Sequence, residues 1–129
     1  MKKTKETSSI SAEDVALTCA AIVEDKKAES ILVLDIRKVT FVADYFVICT
    51  GFNERQLQTM ADEIQKKMKE QRVRSFGMAG YHEAIWILLD LGDVVVHLFD
   101  SEAREAYNLE GLWADADQVP WQEALANRA

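Results

Sequence analysis

Thr50-Gly51-Phe52-Asn53 ends one apolar run and opens a helical one, a strand-to-helix turn whose backbone N–H groups can hold an anion. Metal-assisted nucleotidyl transfer at such a turn needs paired carboxylates on a neighbouring strand to clamp the reacting oxygens. That pair does not assemble. Asp90 is followed two residues on by Gly92, and Asp93 falls in a turn. Asp115-Ala-Asp117 has the right spacing but lies in a polar stretch before Pro120. His82 and His97 are the only histidines and have no Cys or His at ligand spacing, which argues against zinc. No serine sits in a nucleophile elbow, and no glycine-rich dinucleotide or Walker loop is present. Cys19 and Cys49 lie inside apolar stretches, the setting of buried, reduced and inert thiols. Catalytic residues, metal ligands and cofactors are therefore all read as none.

A different set of side chains is brought together by a hairpin. AIWILLDL and VVVHLFD flank Gly92-Asp93, and two apolar runs about such a dipeptide read as strands joined by a two-residue primed turn. The turn fixes the register, pairing Leu91 with Val94, then 90 with 95, 88 with 97 and 86 with 99. One face then carries Ile85, Ile87, Leu89 and Leu91 against Val94, Val96 and Leu98, uniformly aliphatic and suited to lie under helices. The other carries Trp86 opposite Phe99, Leu88 opposite His97, and Asp90 opposite Val95. Aromatic and apolar with a few polar handles, this second face has the make-up of an interface centre. The alternative is that another layer, the third helix with Tyr107 and Trp113, covers it as ordinary core.

These strands need a scaffold, and the rest of the pattern supplies one. Residues 1–10 read as a flexible tail. Ser11 with Asp14 opens an amphipathic helix on Val15, Cys19, Ile22 and Val23, running to about residue 28. ILVLDIRKV (31–39) and DYFVICTG (44–51) read as an antiparallel pair of strands, the second apolar on both faces. Asn53, with Gln56 reaching back, caps a helix that buries Leu57, Met60, Ala61, Ile64 and Met68. Its other face is a solvated charged one with Asp62–Lys66 and Glu63–Lys67 spaced as i,i+4 pairs. Residues 73–80 suggest a short edge strand, and Ser101 caps a helix over 102–107. NLEGLW follows as a turn or short helix, and 118–129 reads as a flexible tail. One domain over 11–117 results, an α/β (α+β) fold with helices packed on a single mixed sheet.

Composition agrees with a single globular domain of 129 residues, 49% hydrophobic, with one Pro and five Gly, so disordered and low-complexity classes are excluded. No apolar run is long enough to span a bilayer, and the start lacks the apolar core of a secretory signal, so a cytoplasmic protein without membrane contact is expected. The net charge of −7 is unevenly placed. Residues 1–80 hold 13 basic and 12 acidic groups, whereas residues 81–129 hold two basic and ten acidic ones. The second part repels phosphate backbones, which argues against direct DNA binding, and suits a basic protein partner. A merely solubilising surface is the competing account.

ADYFVICTG (43–51), Arg55-Gln56, the block from Trp86 through Gly92-Asp93-Val-Val-Val-His97 to Phe99, and Arg104 with Tyr107-Asn-Leu-Glu-Gly-Leu-Trp113 resemble the ribosomal silencing factor, or Iojap, family. The likeness covers about residues 11–115. Asn53, Ala79 and Ala106 depart from the usual family residues, and none of them touches Trp86 or the Gly-Asp turn. The resemblance implies a nucleotidyltransferase-like fold without established transferase activity. It implies binding to the large ribosomal subunit through its protein fourteen, which blocks association with the small subunit and lowers translation under nutrient limitation. Members are often homodimers when free, and organellar relatives act in ribosome assembly. On this footing Trp86, Leu88 and Phe99 are the expected apolar anchors, with Leu91 a rim contact at the hairpin tip. Asp90 and His97 would orient the partner, and Arg104 and Tyr107 would brace the hairpin or reach the partner themselves. A large-subunit assembly factor and a nucleotide-dependent transferase are the alternative functions.

Overall fold

The computed structural model describes residues 10–128, so the expected N-terminal tail falls outside it apart from Ile10. Helix α1 (Ala12–Asp25) starts where the sequence places it, with the Ser11 hydroxyl accepting from the Asp14 amide at 3.1 Å. Strands β1 (Glu29–Asp35) and β2 (Tyr45–Gly51) pair antiparallel, as expected. β1 stops four residues early because the chain turns at Ile36, whose carbonyl accepts from both Val39 and Thr40. Helix α2 (Glu54–Glu70) buries Leu57, Met60, Ala61, Ile64 and Met68, the stripe its spacing dictates. Asn53 Oδ1 accepts from the Gln56 amide at 2.8 Å. Gln56 Oε1 accepts from Phe52, one residue before the capping residue itself. On the outer face the expected i,i+4 pairings give way to others: Asp62 accepts the Tyr81 hydroxyl, and Lys67 lies 4.0 Å from Glu70.

Strand β3 (Gly77–Ala79) precedes the hairpin of β4 (Trp86–Asp90) and β5 (Val94–Asp100), whose register is the one the two-residue turn requires. Gly92 has φ +87°, the positive value that the first central position of a type II′ turn demands. Helix α3 (Ser101–Tyr107) is capped by Asp100, which accepts from Ala103 at 2.8 Å, and not by Ser101 as the sequence suggested. A short α4 (Leu109–Leu112) follows. The sheet runs β3-β4-β5-β2-β1-β6, antiparallel throughout except for the parallel β2–β5 pair at its centre.

The segment expected as a flexible C-terminal tail is built into the domain. β6 (Asp117–Gln118) pairs with Leu34 and Asp35 of β1, and α5 (Trp121–Asn127) packs on the helical layer. Trp121 is buried and donates its indole N–H to the Ile31 carbonyl at 3.3 Å. Arg128 pairs with Glu13 and Asp14 of α1. One face of the sheet is thus covered by α1, α2 and α5 over a large aliphatic core. The other carries a smaller core under α3 and α4, and that layer does not reach all of β4.

Candidate docking site on the second sheet face

The second core is a line of rings. Tyr107 of α3 lies 4.7 Å from Trp86 between ring centres, and Trp86 stacks on Phe99 at 5.1 Å. The His97 ring follows at 5.9 Å from Trp86, then Phe46 edge-on at 4.7 Å, then Trp113 at 5.6 Å. Strand alternation puts Trp86 and Leu88 on this face of β4, with His97 and Phe99 directly opposite them on β5. Contacts of this kind add about 0.5–1.5 kcal/mol per pair beyond simple burial.

The inner part of the line is closed and its end is open. Phe99 is 0% exposed and His97 4%, and Val95 is also buried. Trp86 and Leu88 remain half-buried, and Tyr107 is 55% exposed. Both readings of this face therefore hold in part: α3 and α4 cover β5, while β4 keeps an apolar edge in water. Of the other exposed apolar side chains, Phe41, Val42 and Phe52 sit in connections, Met78 on β3 and Leu112 on α4.

His97 holds the open end in place. Its Nδ1 accepts from Trp86 Nε1 at 3.2 Å, which fixes the proton of the neutral ring on Nε2. Burial pushes its pKa down to about 4, so the ring is neutral at cellular pH. Asp90 braces the hairpin, accepting from the Gly92 amide at 2.9 Å. Arg104, nearly buried, donates to Glu110 and to the Thr50 hydroxyl at 2.9 Å each, so it ties α3 to α4 and to the end of β2.

Several expected contact residues are thereby corrected. Phe99 and His97 are covered and act beneath Trp86, so they offer no surface to a partner. Leu91 is buried and points into the aliphatic core on the far face, not to a rim. Ile85, assigned to that aliphatic face, precedes β4 and is exposed. Phe46 went unrecognised, because β2 is apolar at nearly every position and alternation gives no sign of which face is which.

The Gly51 turn does not present a free cradle. The Phe52 amide is taken by Gln56, and the Thr50 hydroxyl by Arg104. A Cβ on Gly51 would lie 2.7 Å from Leu57 Cδ2, so this glycine serves close helix–strand packing. Both thiols are desolvated and pushed up to about 12, which leaves them protonated. Among the described residues no cluster of three His, Cys, Asp or Glu could hold a metal.

A family model described as ribosomal silencing factor during starvation matches residues 9–129. The chain belongs to that family. Its relatives include the ribosomal silencing factor of Bacillus subtilis, 50% identical over 97 residues that span 75% of this chain and 82% of the relative. That of Halalkalibacterium halodurans is 43% identical over 104 residues, 81% and 89% of the two chains. The chloroplastic Iojap protein of Zea mays is 33% identical over 107 residues, 81% of this chain and 45% of that one. A crystal structure of a Chromobacterium violaceum protein superposes with a TM-score of 0.79 at 32% identity, covering 81% of this chain and 88% of the other. The family match runs to residue 129 and so takes in β6 and α5, in keeping with their place in the fold.

Proposed function

We propose that this chain is a translational repressor that docks on the large ribosomal subunit through its protein fourteen and blocks joining of the small subunit. It lowers translation when nutrients are short, acts in the cytoplasm, performs no catalysis, and is a homodimer when free. Its scaffold is of the nucleotidyltransferase-like type with the catalytic pair missing. The observation that carries the reading is the half-open aromatic edge of Trp86, Leu88 and Tyr107, set in the acidic part of the chain. An apolar centre carried by the acidic part of the chain suits a basic ribosomal protein. A standard interface takes about 800 Å² from each partner, roughly one hairpin face and a flanking helix.

The test is gradient sedimentation of the protein with isolated large subunits, followed by addition of small subunits. Co-migration with large subunits and a smaller joined peak are expected. Trp86→Glu should stay folded, because the site is only half-buried, and should lose co-migration altogether. Protein left at the top of the gradient at saturating concentration, with joining unaffected, sinks the proposal.

A further inference from the structure

Among the described residues, cations cluster at the C-terminal end of α2 and in the segment that follows it. Residues 66–74 hold five basic side chains and one acidic one in a chain of net charge −7. Lys66, Lys67, Lys69, Arg72 and Arg74 are all exposed. Among the described residues only Lys67 of the five has a carboxylate partner, Glu70. Part of this cluster has a structural duty, since Lys67 and Lys69 sit in the last turn of α2 and complement the helix dipole.

Arg72 and Arg74 do not share that duty. The Arg72 amide donates to the Lys69 carbonyl and the Val73 amide to the Met68 carbonyl, which closes α2 with a Schellman motif. Arg72 occupies its left-handed position at φ +60°, where glycine fits without strain. The chain keeps an exposed arginine there at a conformational cost. Arg74 is laid over the Phe76 ring at 4.8 Å and is exposed.

The segment then enters the edge of the sheet. Phe76 donates to the Asp90 carbonyl at 2.8 Å, and β3 pairs with β4. The cationic patch therefore leads into β3, which runs beside β4 from its Asp90 end to Leu88. A basic protein would be repelled by it. A particle that shows a basic protein beside its own RNA would satisfy both surfaces together.

We propose that Lys66, Lys69, Arg72 and Arg74 form a second contact that takes the phosphodiester backbone of RNA next to the protein held by the aromatic edge. This rests on the reading above that the chain docks on the large subunit. Each phosphate contact displaces counterions and adds about 0.7–0.9 to the slope of log affinity against log salt.

The test compares wild type with a Lys66→Gln/Arg72→Gln/Arg74→Gln variant on isolated large subunits from 50 to 200 mM salt, and on the isolated protein partner. The variant should flatten the subunit slope by about two and bind subunits roughly tenfold more weakly at intermediate salt, with affinity for the isolated protein unchanged. Arg72→Gly should raise the melting temperature and yet weaken subunit binding, a pairing that loss of structure cannot produce. An unchanged slope overturns the proposal. So does an unchanged slope with loss of self-association, which would assign the patch to the acidic part of a second copy. Should wild type not bind subunits at all, the docking reading fails by itself. Amide shifts on titration with a single-stranded RNA oligonucleotide then decide the patch. Shifts confined to residues 64–78 support it, and none removes it.

Discussion

His97 shows how one buried group can serve a surface it never reaches. It accepts the Trp86 N–H and sits beneath the indole, so the aromatic edge is presented in a single orientation. Neutrality is a condition of that arrangement, because a protonated ring has no acceptor to offer. The folded pKa of about 4 lies below the ordinary 6.5, so the unfolded chain takes up the proton first. This contribution to stability is complete above about pH 7 and is lost as pH falls through 6.5 towards 4, about 3 kcal/mol in all. Urea denaturation from pH 7.5 to 4 should show that loss in wild type, with the part due to His97 absent from His97→Gln. Parallel pH profiles for the two proteins would show that the imidazole is not the group responsible.

Among the elements, α5 makes the sharpest demand on the fold. It covers the outer end of the helical layer, with Trp121 in the aliphatic core and bonded to the β1 backbone. Trp121→Ala opens a cavity and leaves the Ile31 carbonyl without that donor, at a cost of about 3 kcal/mol or more. The denaturation midpoint should fall accordingly, and a shift below about 1 kcal/mol would place α5 outside the cooperative unit. Little in the sequence announces this helix. It is seven residues long, begins after Pro120 without a side-chain cap, and is approached by a two-residue strand in an acidic stretch. Short elements of this sort are stabilised by long-range packing and leave no periodic trace. The opposite case is α2, where Asn53 and the Leu57–Met68 stripe are local signals that hold, and Gln56 reaches back, though to Phe52 rather than to Asn53. The hairpin is similar, since Gly92-Asp93 sets the register and with it the faces of Trp86, Leu88, His97 and Phe99. What local signals could not supply is the division of that face into a covered β5 and an open β4. Tyr107 and Trp113 lie in sequence after both strands, and how far their helices reach across the sheet is a matter of tertiary packing.

At the scale of the molecule, charge is separated along the chain, with a near-neutral first part and an acidic remainder. Such a separation steers encounter with a basic partner and is screened over about 10 Å at 0.1 M salt. Association with isolated protein fourteen should therefore slow by about tenfold between 20 and 200 mM salt in stopped-flow measurements, with dissociation little changed. A salt-independent association rate would leave the acidic surface a solubilising role only. The sheet order has a consequence of another kind. β2 lies between β1 and β5, and its pairing with β5 joins residues 45–51 to residues 94–100. During synthesis the first hairpin leaves the ribosome with one side of β2 bare, and nothing can cover it until residue 100 has emerged. The rings of the second sheet face come last, from Trp86 onwards apart from Phe46. On the proposed mode of docking, a nascent copy therefore lacks the Trp86 edge until its second half has emerged. The second sheet face is complete only when the second half of the chain closes on the first, a slow step for a contact of such long range.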